Sequence, residues 1–183
     1  MPQKTLNKSA MARWAVANCS KAKPTSGNPN VLPDYYDFSL ISDSYDCTNF
    51  VSHAVLAGGA PMSYSGLPSS GWYFSGLNYR SYSWSGVVSF YEFLVGNTGT
   101  GPFGSDTELC GSGCEIGDII QFFNGSVWRH STVITGFAEQ DGIAKREPLV
   151  TGRTAPGVFN LNQPQSTVYP GERRRVIHLI GYR

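Results

Sequence analysis

The hydrophobic period of this chain changes once, near residue 117, and that change restricts the folds open to it. Before it, residues 6–20 ("LNKSAMARWAVANCS"), the run from Cys47 ("CTNFVSHAVLA") and residues 85–96 ("SGVVSFYEFLVG") carry apolar residues at helical spacing. After it, "GDIIQFF", "SVWRHSTVITGF", "IAKREPLVTGR" and "RRVIHLIGY" read as strands. The first two flank Asn124-Gly125, a strong hairpin signal. Helices first and strands later predict an α+β fold. N-terminal helices (about residues 6–95) would pack on a C-terminal antiparallel sheet (about 117–183), within a single domain spanning 1–183. Two Gly- and Ser-rich stretches, 62–86 and 96–117, read as long loops.

Composition narrows the function classes. The 183 residues carry a formal net charge of +1, which supplies no field for nucleic acid or an anionic membrane. The run Arg173–Arg175 is too short to change that and reads as a solvated strand edge. No stretch approaches the ~20 apolar residues of a membrane span. The N-terminus "MPQKTLNKSAMARWAV" lacks the apolar core of a signal peptide, so a cytoplasmic chain and a removed leader both stay open. A monomer without cofactor is expected.

Four cysteines stand at 19, 47, 110 and 114. Cys19 continues an apolar helix face and reads as core. Cys110 and Cys114 could close a small disulfide loop or remain free thiols, and no second Cys/His pair completes a zinc site. No metal is expected.

Cys47 is different because of where it stands. A helix N-terminus lowers a thiol's pKa through its free N–H groups, and those groups can also hold a developing oxyanion. Asp46 beside it opposes ionisation unless tied down, for instance as a helix cap. Spacing leaves a structural and a catalytic Cys47 equally open. Of the three histidines, His178 reads as a core or sheet-end residue, and His53, off the Cys47 face, as a helix-surface residue. His130 stands in a strand suited to packing.

The runs "YDCTNFVSHAVLAGGAPM", "GWYF", "SWSGVVSFYEFL", "GPFG", "GDIIQF", "WRHSTVITG" and "RRVIHLIGY" together resemble the putative amidase domain family, in order and over nearly the whole chain. That family is a branch of the papain-like cysteine peptidase and amidase group, which includes the NlpC/P60 and CHAP cell-wall hydrolases. The resemblance implies a papain-like (NlpC/P60-like) fold, Cys47 as nucleophile and His130 as general base. Asp46 and Asn49 match the signature around the nucleophile, with Asn49 holding the cysteine helix against the sheet. A peptide or peptidoglycan-type substrate and a secreted or cell-envelope location are implied as well. Trp72, Tyr73 and Trp84, in two aromatic loop segments, are candidate cleft residues.

The sequence departs from the family pattern twice. His53 stands where Gln is common, and Arg153 falls near the position of a second His that would orient His130. Arginine has no acceptor to offer an imidazole N–H and would repel its protonated form. Thr151, on the same strand face as Arg153, and Asn160 are the other candidates for that orienting role. The expected activity is cysteine-dependent amide hydrolysis through a thioester. The alternatives are a catalytically impaired binding module of the same fold and a peptide-tailoring acyl transferase.

Overall fold

Helix α1 (Lys8–Asn18) starts at Asn7, whose side chain accepts the Ala10 N–H at 3.0 Å, one of the donors a helix start leaves free. It packs on α2 (Cys47–Ala57), in which every residue from Cys47 to Leu56 is buried. A helix buried on all sides must be apolar on all sides or have its polar groups bonded. Here Phe50, Val51, Ala54 and Val55 fill the core, while Thr48, Asn49 and Ser52 each bond a neighbouring element. A one-turn helix, α3 (Tyr82–Ser85), leads through Gly86 into α4 (Val87–Gly96). Ser85 ends α3, and the cap position of α4 is Gly86. These elements belong to the computed structural model, which describes residues 3–30, 34–107, 113–139 and 147–183.

Six antiparallel strands follow: β1 (Pro102–Thr107), β2 (Ile119–Phe123), β3 (Trp128–Ala138), β4 (Glu147–Ala155), β5 (Val158–Pro164) and β6 (Arg173–Tyr182). Their order across the sheet is β1-β6-β2-β3-β4-β5. The expected α+β layering is therefore present, with helices on one face of an antiparallel sheet. Two strands escaped the sequence reading. β1 lies inside a stretch read as loop, because its pairing is to β6 at the far end of the chain. Gly104 permits that pairing: a Cβ there would stand 2.5 Å from the His178 carbonyl oxygen. β5 is a mostly exposed edge strand, so its side chains give little apolar alternation. The expected third strand from residue 143 is described only from Glu147, and the Cys110/Cys114 question turns on Cys110, which lies outside the described residues.

The two sheet faces differ. Ile119, Val133, Ile177 and Leu179 meet the helices in the main core, which also holds Met11, Cys19, Phe90 and Leu94. Ile120, Phe122, Ile134, Val150 and Val176 form a smaller cluster on the other face, closed by Val168 and Tyr169. The Arg173–Arg175 run is not simply solvated: Arg175 lies over Tyr91 and Trp128, 3.5 and 4.1 Å from their ring centroids, and bonds Gln121 at 2.8 Å.

His53 is fully buried rather than on a helix surface. Trp14, Tyr35, Phe74 and Trp84 surround its ring, and Nδ1 accepts the Gly27 N–H at 3.2 Å. Desolvation in this aromatic box lowers its pKa to about 3. Among the described residues no helix is long and apolar enough to cross a membrane.

Candidate active site

Cys47 opens α2 with its thiol against β3. Sγ lies 3.8 Å from Thr48 Oγ1 and 3.9 Å from the Arg129 carbonyl oxygen. Arg129 and Ser131 flank His130 in the strand, so the sulfur sits level with the expected base. Burial pushes the thiol's pKa up, the Ser131 N–H and the Thr48 hydroxyl pull it down, and Asp46 adds an upward push. The group that rests here at neutral pH is a thiol.

His130 leaves β3 on the other side. Ser131 meets Thr48 of α2 at 3.1 Å, so strand alternation turns His130 to the face away from the helices. Its ring lies 6.0 Å from Phe122 and 5.3 Å from Tyr169 by centroids. Burial lowers its pKa to about 4, Asn160 works in the opposite direction, and Arg129 adds to the lowering. Nε2 is buried without an aligned hydrogen-bond partner. Among the described residues no hydrogen bond joins the thiol and the imidazole in this resting arrangement.

Asn160 pairs in register with Gly152, the residue that lies against the imidazole. Its Nδ2 donates to Gln163 at 2.7 Å, which leaves the amide oxygen as the acceptor available to the ring. A Cβ on Gly152 would stand 3.3 Å from His130 Nε2 and 2.8 Å from Thr132 Cγ2. Gly152→Ala is therefore expected to displace the ring and cost about 1–3 kcal/mol by overpacking. Thermal melts and an amide-cleavage assay on the same sample check it, with activity falling more than stability.

The other two candidates for orienting His130 face away from it. Thr151 pairs with Val133, on the helix side, and its hydroxyl meets Thr135 Oγ1 at 2.9 Å and accepts the Asn162 N–H at 3.1 Å. Arg153 shares that face and is fully buried. Its guanidinium donates to Asp46 at 3.1 Å, Asp37 at 2.6 Å, and the carbonyls of Cys19 and Lys21 at 3.2 and 2.7 Å. The repulsion expected from Arg153 on His130 comes instead from Arg129. The reason is the two-residue period of a strand: 151 and 153 share a face, and Gly152 between them is the position under the imidazole.

Asp46 does not cap α2 with its side chain. The buried carboxylate accepts from the Phe38 N–H (3.1 Å), Asn49 Nδ2 (2.9 Å), Arg153 Nε and the Tyr35 hydroxyl. The helix start beside Cys47 is thus left without a side-chain cap. Asn49 holds α2 to the 36–38 loop and α3 rather than to the sheet: Nδ2 bonds the Tyr36 carbonyl at 2.9 Å and Oδ1 accepts from Trp84 at 2.7 Å. Thr48, through Ser131, makes the sheet contact.

Cys47 opens into a cavity of about 220 Å³ lined by Phe38, Ser44, Tyr45, Arg80, Ser85, Val87 and Arg129. The expected cleft aromatics are elsewhere. Trp72, Tyr73 and Trp84 are buried. The two indole N–H groups reach Ser52 and Asn49 at 3.1 and 2.7 Å, so these rings anchor the loop to α2. Sequence reasoning missed Arg80 and Arg129 as lining residues. Arg129 adjoins His130 and was within reach of a motif reading, whereas nothing local marks Arg80. Among the described residues no three His, Cys, Asp or Glu side chains gather as metal ligands.

The two buried histidines make stability depend on pH. Their folded pKa values, about 4 for His130 and about 3 for His53, lie below the ordinary 6.5. Above pH 6.5 both are neutral in either state and the stability is fully present. As pH falls from 6.5 toward 4 and 3, the unfolded chain takes up protons that the folded chain refuses, and stability drops. Asp46, whose carboxyl burial pushes up to about 6, works in the opposite direction over the same range. With two histidines against one carboxyl, the melting temperature is expected to be a few degrees lower at pH 4.5 than at pH 7. His53→Gln, which keeps an acceptor for Gly27 without a titrating group, is expected to shrink that difference.

Residues 5–180 match the family model described as Putative amidase domain. No curated protein and no solved structure matches the sequence. The match spans almost the whole chain and includes Cys47, His130, strands β1 to β5 and most of β6: the chain belongs to the putative amidase domain family.

Proposed function

We propose that this chain hydrolyses an amide through Cys47, with His130 moving the proton and Asn160 orienting the imidazole. The observation that carries the reading is the position of Cys47: a thiol at the uncapped start of a buried helix, facing a cavity. The thiolate attacks the carbonyl carbon, the oxyanion is held by N–H groups at the start of α2, and the protonated imidazole releases the amine. Water then cleaves the thioester. Because both groups rest neutral, the imidazole would take the thiol proton as substrate binds, with no preformed ion pair. The imidazole rests on the face of β3 away from α2, so the mechanism requires the His130 ring to turn toward Cys47 when substrate binds. Family resemblance points to peptides of the cell-wall type as the substrate.

Activity against a panel of short peptides and N-acyl amides tests the reading. Cleavage that disappears in both Cys47→Ala and His130→Ala, and survives in Cys19→Ala, supports it. Cleavage that persists in Cys47→Ala overturns it. The second reading, a binding module of the same fold, is favoured by the upward push on the thiol pKa. It predicts ligand binding by wild type without turnover.

A further inference from the structure

We propose that Arg80 is a carboxylate anchor in the Cys47 cavity, so that the amide cleaved there carries a free carboxylate close to the scissile bond. The inference rests on that cavity being the reaction site and names the kind of substrate it takes.

The cavity lining contains two cations, Arg80 and Arg129, and no acidic residue. The two are not equivalent. Arg129 has a counter-ion, since its Nε donates to Glu172 at 3.2 Å and its terminal nitrogen pairs with the same carboxylate. Arg80 has none among the described residues. Its Nε donates to Ser85 Oγ at 3.1 Å, another nitrogen donates to the Leu77 carbonyl, and the guanidinium carbon stands 4.5 Å over the Phe38 ring. These contacts fix the guanidinium plane without neutralising it. Of its three nitrogens, the remaining one has no protein acceptor among the described residues.

A half-buried cation without a counter-ion has lost part of its hydration and received no charge in return, an arrangement that favours an incoming anion. Guanidinium geometry suits a planar carboxylate, and a group already held by Ser85, Leu77 and Phe38 loses little freedom on binding it. The anchored carboxylate and the Cys47 sulfur share one cavity of about 220 Å³, so the acid group and the amide carbonyl must lie within a few bonds of each other.

The test is calorimetry on the Cys47→Ala protein with two probes, acetyl-alanyl-alanine and acetyl-alanyl-alaninamide. The expected result is binding of the carboxylate peptide about tenfold or more tighter than its amide, the margin of one charge-assisted hydrogen bond. Arg80→Gln is expected to erase that margin and Arg129→Gln to leave most of it. Equal affinity for the two peptides, or no binding of the carboxylate peptide at millimolar concentration, overturns the proposal. So does an unchanged margin in Arg80→Gln. The peptide comparison needs no Arg80 variant, so it decides even if Arg80→Gln does not fold. Because binding is read in the absence of Cys47, an Arg80-dependent margin stands even where wild type cleaves neither peptide, and the two readings then fail separately.

Discussion

Cys47→Ala is expected to bring amide cleavage to background, a loss of about 10³-fold or more, while the protein stays folded. In the proposed mechanism Cys47 is the one group whose role no neighbour can take over, so its removal leaves only binding and oxyanion contacts. The side chain is small and its sulfur makes long contacts of 3.8 and 3.9 Å, so truncation costs on the order of 1 kcal/mol. Cys19, also buried and free, is the control that separates loss of a thiol from loss of this thiol. Initial rates and melting temperatures on the same preparations are the measurement. Rates that fall equally in Cys19→Ala would mean that the loss reports on folding and not on chemistry.

Arg153→Met is expected to be the most destabilising single change, by about 3–5 kcal/mol. Its guanidinium carries no exposed surface and links two elements to the start of α2 by ion pairs with Asp37 and Asp46. Removing the cation leaves two carboxylates facing each other, one of them fully buried, and orphans the carbonyls of Cys19 and Lys21. For a chain of this length the melting temperature is expected to fall by roughly 10 °C. Activity is expected to fall with it, because Asp46 and its partners set the position of Cys47. Adding Asp46→Asn to Arg153→Met is expected to recover part of the stability by removing the buried negative charge. A urea midpoint unchanged in Arg153→Met would show that the ion pairs contribute nothing net.

Arg153 also shows how far the sequence could be read. Its position near a family histidine made it a candidate for the catalytic constellation, with a defect in orienting His130. In the folded chain it braces the helix start, on the opposite side of the sheet from the imidazole. The error came from register: with a period of two, a one-residue difference exchanges the faces. Gly152, one position away from Arg153, and Asn160, which pairs with Gly152 across the β4–β5 ladder, are the residues beside His130.

The aromatic loop was misread for a related reason. Trp72, Tyr73 and Trp84 sit among serines and glycines, a composition shared by substrate grooves and by loops folded onto a core. The two indole N–H groups found Ser52 and Asn49 on α2, 20 and 35 residues away in sequence, and that placed both tryptophans inside. No local pattern reports such a partner.

The sequence by itself determined the order of layers, the three long helices, the β2–β3 hairpin and the placement of Cys47 at a helix start, because each follows from local periodicity and turn chemistry. Only the tertiary structure decided which face His130 takes, that Arg153 is a brace, and that Arg80 enters the Cys47 cavity. Those depend on strand register and on contacts between residues far apart in the chain, which local free energies do not encode.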